Sequence, residues 1–311
     1  MCYSAEEWAD YRLYCKRFGA TLGIADFVRL QRRRTAGERV RIPKSMDDAF
    51  RGPVGADLAE LAALVDGWNH AQADRLQGEL DAQRRRLAEA EAKLQVKETK
   101  AARESARIAT DKIRKAELDL ADLSRRDPLP RDSRIFPGTY APVLVSEGGK
   151  LVVKPMRYQC RLAGKPAFYD TKYPGTYNAR RDNLEGFWKG QFGHTHALMV
   201  VNVFYENVEG PDGKNQVLRF EPRTGEPMYV ACLWSHWTDP AGKDPDLLSF
   251  AAITDEPEPE VAAAGHDRTI INIKPEHIDA WLNPDPANLA AFYAIFDDKQ
   301  HPFYEHQRQA A

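Results

Sequence analysis

The sequence predicts an α+β protein, a β-rich mixed sheet or barrel interrupted by a long helical, coiled-coil-like insertion. Two changes of texture along the chain carry that expectation. Over residues 57–126 proline is absent, glycine occurs only at Gly67 and Gly78, and Ala, Glu, Lys, Arg, Leu and Gln dominate, as in long helices. From Asp127 onward, β-branched runs such as "YAPVLV", "HALMVVNVFYENV", "MYVACLW" and "RTIINIK" alternate with Pro- and Gly-bearing turns, of which "EGGK" and "PDGKN" are the clearest. A chain of 311 residues with 43% hydrophobic content can also bury a full core. The expected division is residues 1–56, a terminal cysteine and short helices belonging with the β-rich part; 57–126, the helical insertion; and 127–311, the β-rich core.

Residues 5–50 alternate apolar and charged positions at helical spacing and are cut by Gly19, Gly23, Gly37 and Pro43, which predicts a few short helices. In the insertion Leu80, Leu87, Leu94, Ala101 and Ile108 recur every seventh residue, while the companion seam holds Arg84, Glu91, Glu98 and Ser105. Its 14 basic and 14 acidic residues suit a solvated polyampholyte better than a nucleic-acid arm, despite "RRR" at 84–86. A single helix over 69–126 would run about 87 Å and leave its ends far apart. A hairpin folding back within "VKETKAARE" is therefore expected, the alternative being a continuous helix paired with a second subunit. Near the C-terminus "KPEHIDAWLN" predicts a helix with Pro275 in its first turn.

Formal net charge of −2 gives no global attraction to polyanions, so a nucleic acid would have to meet a local basic patch. Cys2, Cys15, Cys160 and Cys232 show no C-x-x-C spacing, which argues for a reducing cytoplasm and against zinc. The sequence has no secretion-signal pattern and no apolar run near the roughly 20 residues of a spanning helix, so a cytoplasmic protein without a membrane partner is expected. "GHTHA" places His194 and His196 on one strand face without a third ligand of similar spacing, so neither a metal nor another cofactor is expected.

Chemistry-bearing residues gather at a few points. Cys2 stands directly behind Met1, and its small side chain suits removal of that methionine, which would leave an α-amine beside a thiol. "YNARRDN" places Asn178 and Arg180 after a Pro-Gly turn. "VVNVFYEN" ends an apolar strand with Glu206, "FAAIT" ends another with Thr254, and "GHDRTIIN" opens a third with His266, Asp267 and Arg268. A carboxylate and an imidazole at strand ends are the usual material for general acid and base work. Taken one by one, Glu206 also reads as a solvated residue past a strand, His266 as a loop histidine, Arg180 and Arg181 as solvated cations, and Asp267 with Arg268 as a local ion pair.

In this order, Cys2 behind Met1, "NAR", "FYEN", "HDR" and "W-L-N-P" resemble the SOS-response-associated peptidase family, the abasic-site-processing proteins. The resemblance runs from "YAPVLV" near residue 140 to "DAWLNP" near 284, plus the first two residues. The family opening M-C-G-R is here M-C-Tyr3-Ser4, without its arginine; "GFYEW" is here "NVFYEN"; the tryptophan-bearing segment is here "PMRYQC"; and residues 5–130 far exceed the family spacer. The resemblance implies a β-rich fold with a channel for single-stranded DNA, and a mature Cys2 that joins the aldehyde of an abasic site as a thiazolidine. It further implies that Glu206 shuttles protons, His266 supports ring opening and thiol addition, Asn178 orients the N-terminal residue and Arg180 holds a flanking phosphate, with Thr254 and Arg268 contacting the DNA backbone. Tyr158, Trp188 and Trp234 are read either as stacking surfaces or as core. Two other readings are kept: an N-terminal-nucleophile cysteine peptidase acting on Met1, and a non-enzymatic protein whose helical insertion recruits a partner or self-associates.

Overall fold

The computed structural model describes residues 3–52, 55–210 and 212–308. In chain order the elements are β1 (Ser4–Glu7), α1 (Tyr11–Phe18), β2 (Thr21–Leu22), α2 (Ile24–Thr35), α3 (Lys44–Asp48), α4 (Ala59–Val96), α5 (Lys100–Ser124), β3 (Arg134–Ile135), β4 (Tyr140–Glu147) and β5 (Lys150–Tyr158). There follow α6 (Tyr169–Lys172), β6 (Asn178–Arg180), β7 (His196–Glu209), β8 (Asn215–Pro222), β9 (Met228–Trp237), β10 (Leu247–Asp255), α7 (Pro259–Ala263), β11 (Thr269–Ile270), α8 (Ile278–Leu282), α9 (Leu289–Asp297) and β12 (Tyr304–Arg308). The chain divides into two units, Met1–Ala49 with Leu129–Ala311, and Phe50–Pro128. This is a mixed α+β fold with an inserted helical segment.

In the first unit the strands form one mixed sheet, and five of them close a ring. β4 pairs with β5, β5 with β10, β10 with β9, β9 with β7, and β7 returns to β4 through Leu144 and Leu198. The β5–β10 step is parallel and the others antiparallel. Alternate residues such as Val143, Val145, Met156, Ala197, Met199, Val230, Cys232 and Phe250 point into the enclosed core, the period of two that a one-sided strand requires. The "EGGK" turn works because Gly148 and Gly149 take φ of 56° and 76°, which matches the twist of a two-residue hairpin and sets Glu147 against Lys150.

The short helices near the start form as their spacing predicts. Asp10 caps α1 by accepting from the Arg12 amide at 2.9 Å, and Gly19 ends it with φ of 65°. α2 turns Phe27, Val28, Leu30, Gln31 and Arg34 inward, and the buried Arg34 guanidinium holds Asp47 of α3 at 2.7 Å. Gln31 donates to the same carboxylate at 2.9 Å.

One element departs from the helical reading of the N-terminal stretch. Ser4–Glu7 is a strand, although "SAEE" has no β-branched residue, because β7 and β3 supply partners on both sides: Ser4 faces Tyr205, and Ala5 faces both Phe204 and Ile135. β7 also runs past Glu206 to Glu209, so that glutamate sits within a strand, opposite Leu218 of β8, and not at its end.

The second unit is a helical hairpin. α4 and α5 are joined by Lys97–Thr99, and Thr99 caps α5 by accepting from the Ala102 amide at 3.2 Å. The reversal interrupts the sevenfold seam: Leu80 is buried, Leu87, Leu94 and Ile108 only partly, and Ala101 is exposed. The seam of α5 lies one residue along, at Ala102, Ala109 and Ala116, small residues that let the helices approach closely. No helix among the described residues is long and apolar enough to cross a membrane.

Candidate functional site

Glu206 occupies a core position. On β7 it shares the inward face with Phe204 and Val208, both members of the hydrophobic cluster, and its own exposure is 0%. Burial penalises the charged carboxylate and pushes its pKa up to about 8, with the nearby Asp267 charge adding to the rise. The nearby Tyr3 amide acts in the opposite direction, favouring the charged carboxylate. That amide belongs to the peptide bond between Cys2 and Tyr3, and the β1–β7 register brings it there. Cys2 itself lies outside the described residues.

His266 comes from the loop between α7 and β11. Its amide bonds to the Val261 carbonyl at 3.2 Å, and its Nδ1 lies 2.9 Å from the Arg268 carbonyl. A proton on Nδ1 satisfies that carbonyl and leaves Nε2 as an acceptor. Nε2 stands 3.2 Å from Glu206 Oε2. Burial lowers the imidazole's pKa while it raises the carboxyl's, so a proton shared between them rests on Glu206. The pair thus presents a neutral acid beside a neutral base, which can give and take one proton without building net charge in the core.

The remaining sequence-predicted residues divide. Asn178 is buried on β6, which runs parallel to β10 and sets Asn178 beside Ala252 and Arg180 beside Thr254. Arg180 is exposed and paired with Asp182 at 2.5 Å, and Arg268 pairs with Glu256 at 2.8 Å. Thr254 is fully buried, and its hydroxyl reaches no surface that a DNA backbone could touch. Tyr158, expected among the base contacts, is 1% exposed, with its ring against Tyr177 and Phe250; burial leaves no face for a base. Trp188 is buried and Trp234 partly so. His196 is a core histidine: it stacks on Trp281 at 3.8 Å, bonds the Trp281 carbonyl at 2.9 Å, and has its pKa lowered to about 3 by burial.

Several residues beside the site carry no sequence signal. Arg134 of β3 donates to Ser4 Oγ at 3.0 Å and lies 3.6 Å over the Tyr205 ring, bringing a guanidinium next to the position where the family's opening arginine is absent. The Tyr205 hydroxyl is hydrogen-bonded to Glu6 on β1. Tyr3, 43% exposed, packs edge-on against Phe136 and Tyr177 with centroids at 5.7 and 6.4 Å. "RDSRIF" and "GTYN" contain nothing that marks these contacts, which arise only when β3 and β6 are placed beside the chain's first residues.

The strands thus close a β barrel, and β1 pairs with β7 beside the buried carboxyl–imidazole pair. A family model described as SOS response associated peptidase (SRAP) matches residues 96–308, more than half of the chain, and the protein belongs to this family. Membership supports a role associated with DNA damage and the SOS response, through a peptidase-like or DNA-processing activity. A search of curated proteins finds no match. Among solved structures, a Bordetella bronchiseptica protein is similar at 16% identity and a TM-score of 0.47, covering 60% of this chain and 90% of its own. A Bacteroides thetaiotaomicron protein is similar at 12% identity and 0.46, covering 57% and 77%. A phage-related protein from Bordetella bronchiseptica is similar at 20% identity and 0.43, covering 63% and 89%.

Proposed function

We propose that the protein captures abasic sites in single-stranded DNA by a covalent bond to Cys2 after Met1 is removed. The observation that carries this reading is the buried Glu206–His266 pair, beside which β1 pairs with β7 through Ser4 and Tyr205. The α-amine of Cys2 adds to the C1′ aldehyde of the ring-opened sugar, and loss of one water gives an imine. The thiol then adds across the imine carbon and closes a five-membered thiazolidine, its proton passing to the nitrogen. No electron is gained or lost. Protonated Glu206 donates to the sugar ring oxygen as the ring opens and to the departing hydroxyl of the carbinolamine, while His266 Nε2 receives the proton from the attacking group. Buried Asn178 holds the terminal residue in register, and Arg180 and Arg268 exchange their carboxylate partners for phosphates.

The test is denaturing electrophoresis of the protein with an abasic oligonucleotide. A shifted band with single-stranded abasic DNA, much weaker with duplex or intact strands, is the expected result. Absence of any shift at excess protein would overturn the reading. Intact-mass measurement is expected to show the protein without Met1, and removal of Met1 without any DNA adduct would favour the self-processing peptidase.

A further inference from the structure

We propose that Arg134 is a positioning residue for the thiol of Cys2: its guanidinium stands on the strand face that carries alternate residues of the chain start and favours the thiolate there, an assignment that rests on the reading of Cys2 above.

Pairing brings the guanidinium to the chain start, and its side chain then leans further toward the first residues. Arg134 of β3 lies opposite Glu6 in the register of β1, and Ser4 lies opposite Tyr205 of β7. Cross-strand partners share a face, so Ser4, Glu6, Arg134 and Tyr205 form one patch. Arg134 does not stop at Glu6: its Nε and Nη2 donate to Ser4 Oγ at 3.2 and 3.0 Å, two residues nearer the chain start. The guanidinium also lies 3.6 Å over the Tyr205 ring and 5.0 Å from the centre of the Phe136 ring. Hydrogen bonds and rings together hold the cation in one orientation.

The alternation of β1, carried back one step from Ser4, assigns position 2 to the same face, about 7 Å along. Cys2 itself lies outside the described residues, and its place on this face is inferred from that alternation. The two faces of β1 then suit the two nucleophiles. Ala5 belongs to the inner face, as do Phe204 and Glu206 on β7, while Ser4 and Tyr205 belong to the other. An amine that adds to an aldehyde has protons to shed, which the carboxyl–imidazole pair can take; a thiol attacks as its anion, which a cation stabilises. The balance of the closure is unchanged: the S–H proton leaves before the S–C bond forms and reaches the nitrogen afterwards, and Arg134 neither gives nor takes it.

The surrounding charges leave the guanidinium as the cation directed at this end of β1. Glu6 answers it from the same face, and that carboxylate accepts the Tyr205 hydroxyl. Arg219 of β8 acts on Glu6 and Tyr205 and is paired with Glu221 at 2.5 Å. In the turn before β3, Arg131 is exposed, and Asp132 accepts from the Leu129 amide at 2.8 Å. On the inner side burial holds Glu206 and His266 as a neutral pair, and Asp267 is exposed. Burial lowers the pKa of Arg134 itself, against Tyr205, Glu6 and Tyr3, which raise it. An arginine so placed is still a cation at neutral pH, and water screens it less than it would an exposed one.

The experiment is alkylation of the full-length protein by iodoacetamide across pH, without DNA, with modification of Cys2 and Cys15 quantified separately by peptide mass spectrometry. Cys15 on α1 is half-buried, its pKa raised by burial and by Asp10, and serves as the internal reference. Arg134→Gln keeps donors for Ser4 but removes the charge, and is expected to move the Cys2 midpoint up by about one pH unit. Below the midpoint the thiolate fraction then falls about tenfold, and the greater nucleophilicity of a more basic thiolate leaves alkylation about threefold slower. Arg134→Lys, which restores the charge, is expected to stay close to the wild-type midpoint, and Cys15 to titrate alike in all three proteins. If Arg134→Gln lowers the melting temperature, Arg134→Met supplies the same comparison with a flexible chain over the Tyr205 ring. Equal Cys2 midpoints in wild type and the neutral variants, or an equal rise in Arg134→Lys, which would mark a structural role alone, would each overturn the assignment. A midpoint that depends on Arg134 in a protein forming no adduct with abasic DNA would keep the assignment and sink the thiazolidine; adduct formation with an unmoved midpoint would do the reverse.

Discussion

The hairpin of α4 and α5 keeps alanines inside and charges outside, whereas the β-rich unit places ionisable groups within its core. In the hairpin Ala90, Ala102, Ala109 and Ala116 are buried, and ion pairs such as Arg84–Glu117 bridge the helices in solvent, where water screens them. In the β-rich unit Glu7, Glu206 and His196 are buried, and burial shifts each toward its neutral form. Neutral groups held ready in a dry core can exchange protons; charges already solvated have less to offer. The contrast is one of buried ionisable groups in the first unit against solvated charges in the hairpin.

The largest expected effect falls on Cys2. Cys2→Ser should give little stable adduct unless borohydride is added, because an imine without the thiol hydrolyses; an undiminished band on a denaturing gel without reductant would break the amine-plus-thiol mechanism. Next, Glu206→Gln and His266→Ala should each slow adduct formation by roughly 100-fold or less, the range of lost acid–base assistance, with affinity for intact single strands retained. Rapid-quench rates together with anisotropy separate the two quantities, and an equal loss in both would erase the division between chemistry and binding.

Ala109→Leu would overfill a fully buried position of the hairpin seam and should cost about 1–3 kcal/mol in that unit, seen as loss of helical circular dichroism on heating, with the adduct rate of wild type. A matching fall in the adduct rate would show that the units do not act separately. A pH effect sharpens the other side. Glu206 in the folded chain titrates near 8, against an ordinary 4.5. Between those values the unfolded chain has released a proton that the folded chain keeps, so stability falls as pH rises through that window and levels above it. Glu7 is shifted the same way. Calorimetry of Glu206→Gln should show a shallower decline in melting temperature from about pH 5 to about pH 8, and an unaltered slope would mean the carboxyl is not held neutral. Replacing Phe50–Pro128 by a flexible linker should change the adduct rate least of all, since α3 and the turn at Pro130–Ser133 pack together within the first unit.

The barrel strands and the hairpin were legible because each repeats one local pattern long enough to be read. Thr99, which caps α5, stands inside the expected reversal, though "KET" carries no glycine or proline. β1 was not legible: four residues of "SAEE" become a strand only because β3 and β7 leave room between them. Glu206 and His266 were named from their motifs, but the mid-strand position of Glu206 depends on β8 extending the pairing beyond it. A cavity lined by five arginines draws on residues 33–41, 137–140, 157–161, 170–171 and 244–247, and sequence gives no means of adding charges across five separated segments.

The pairing of β1 with β7 also sets an order of events in synthesis. The ribosome makes residues 4–7 first and reaches 196–209 about 190 residues later, some 10–40 s at ordinary elongation rates. Until then the opening residues have no β7 to join and no Glu206 or His266 beside them.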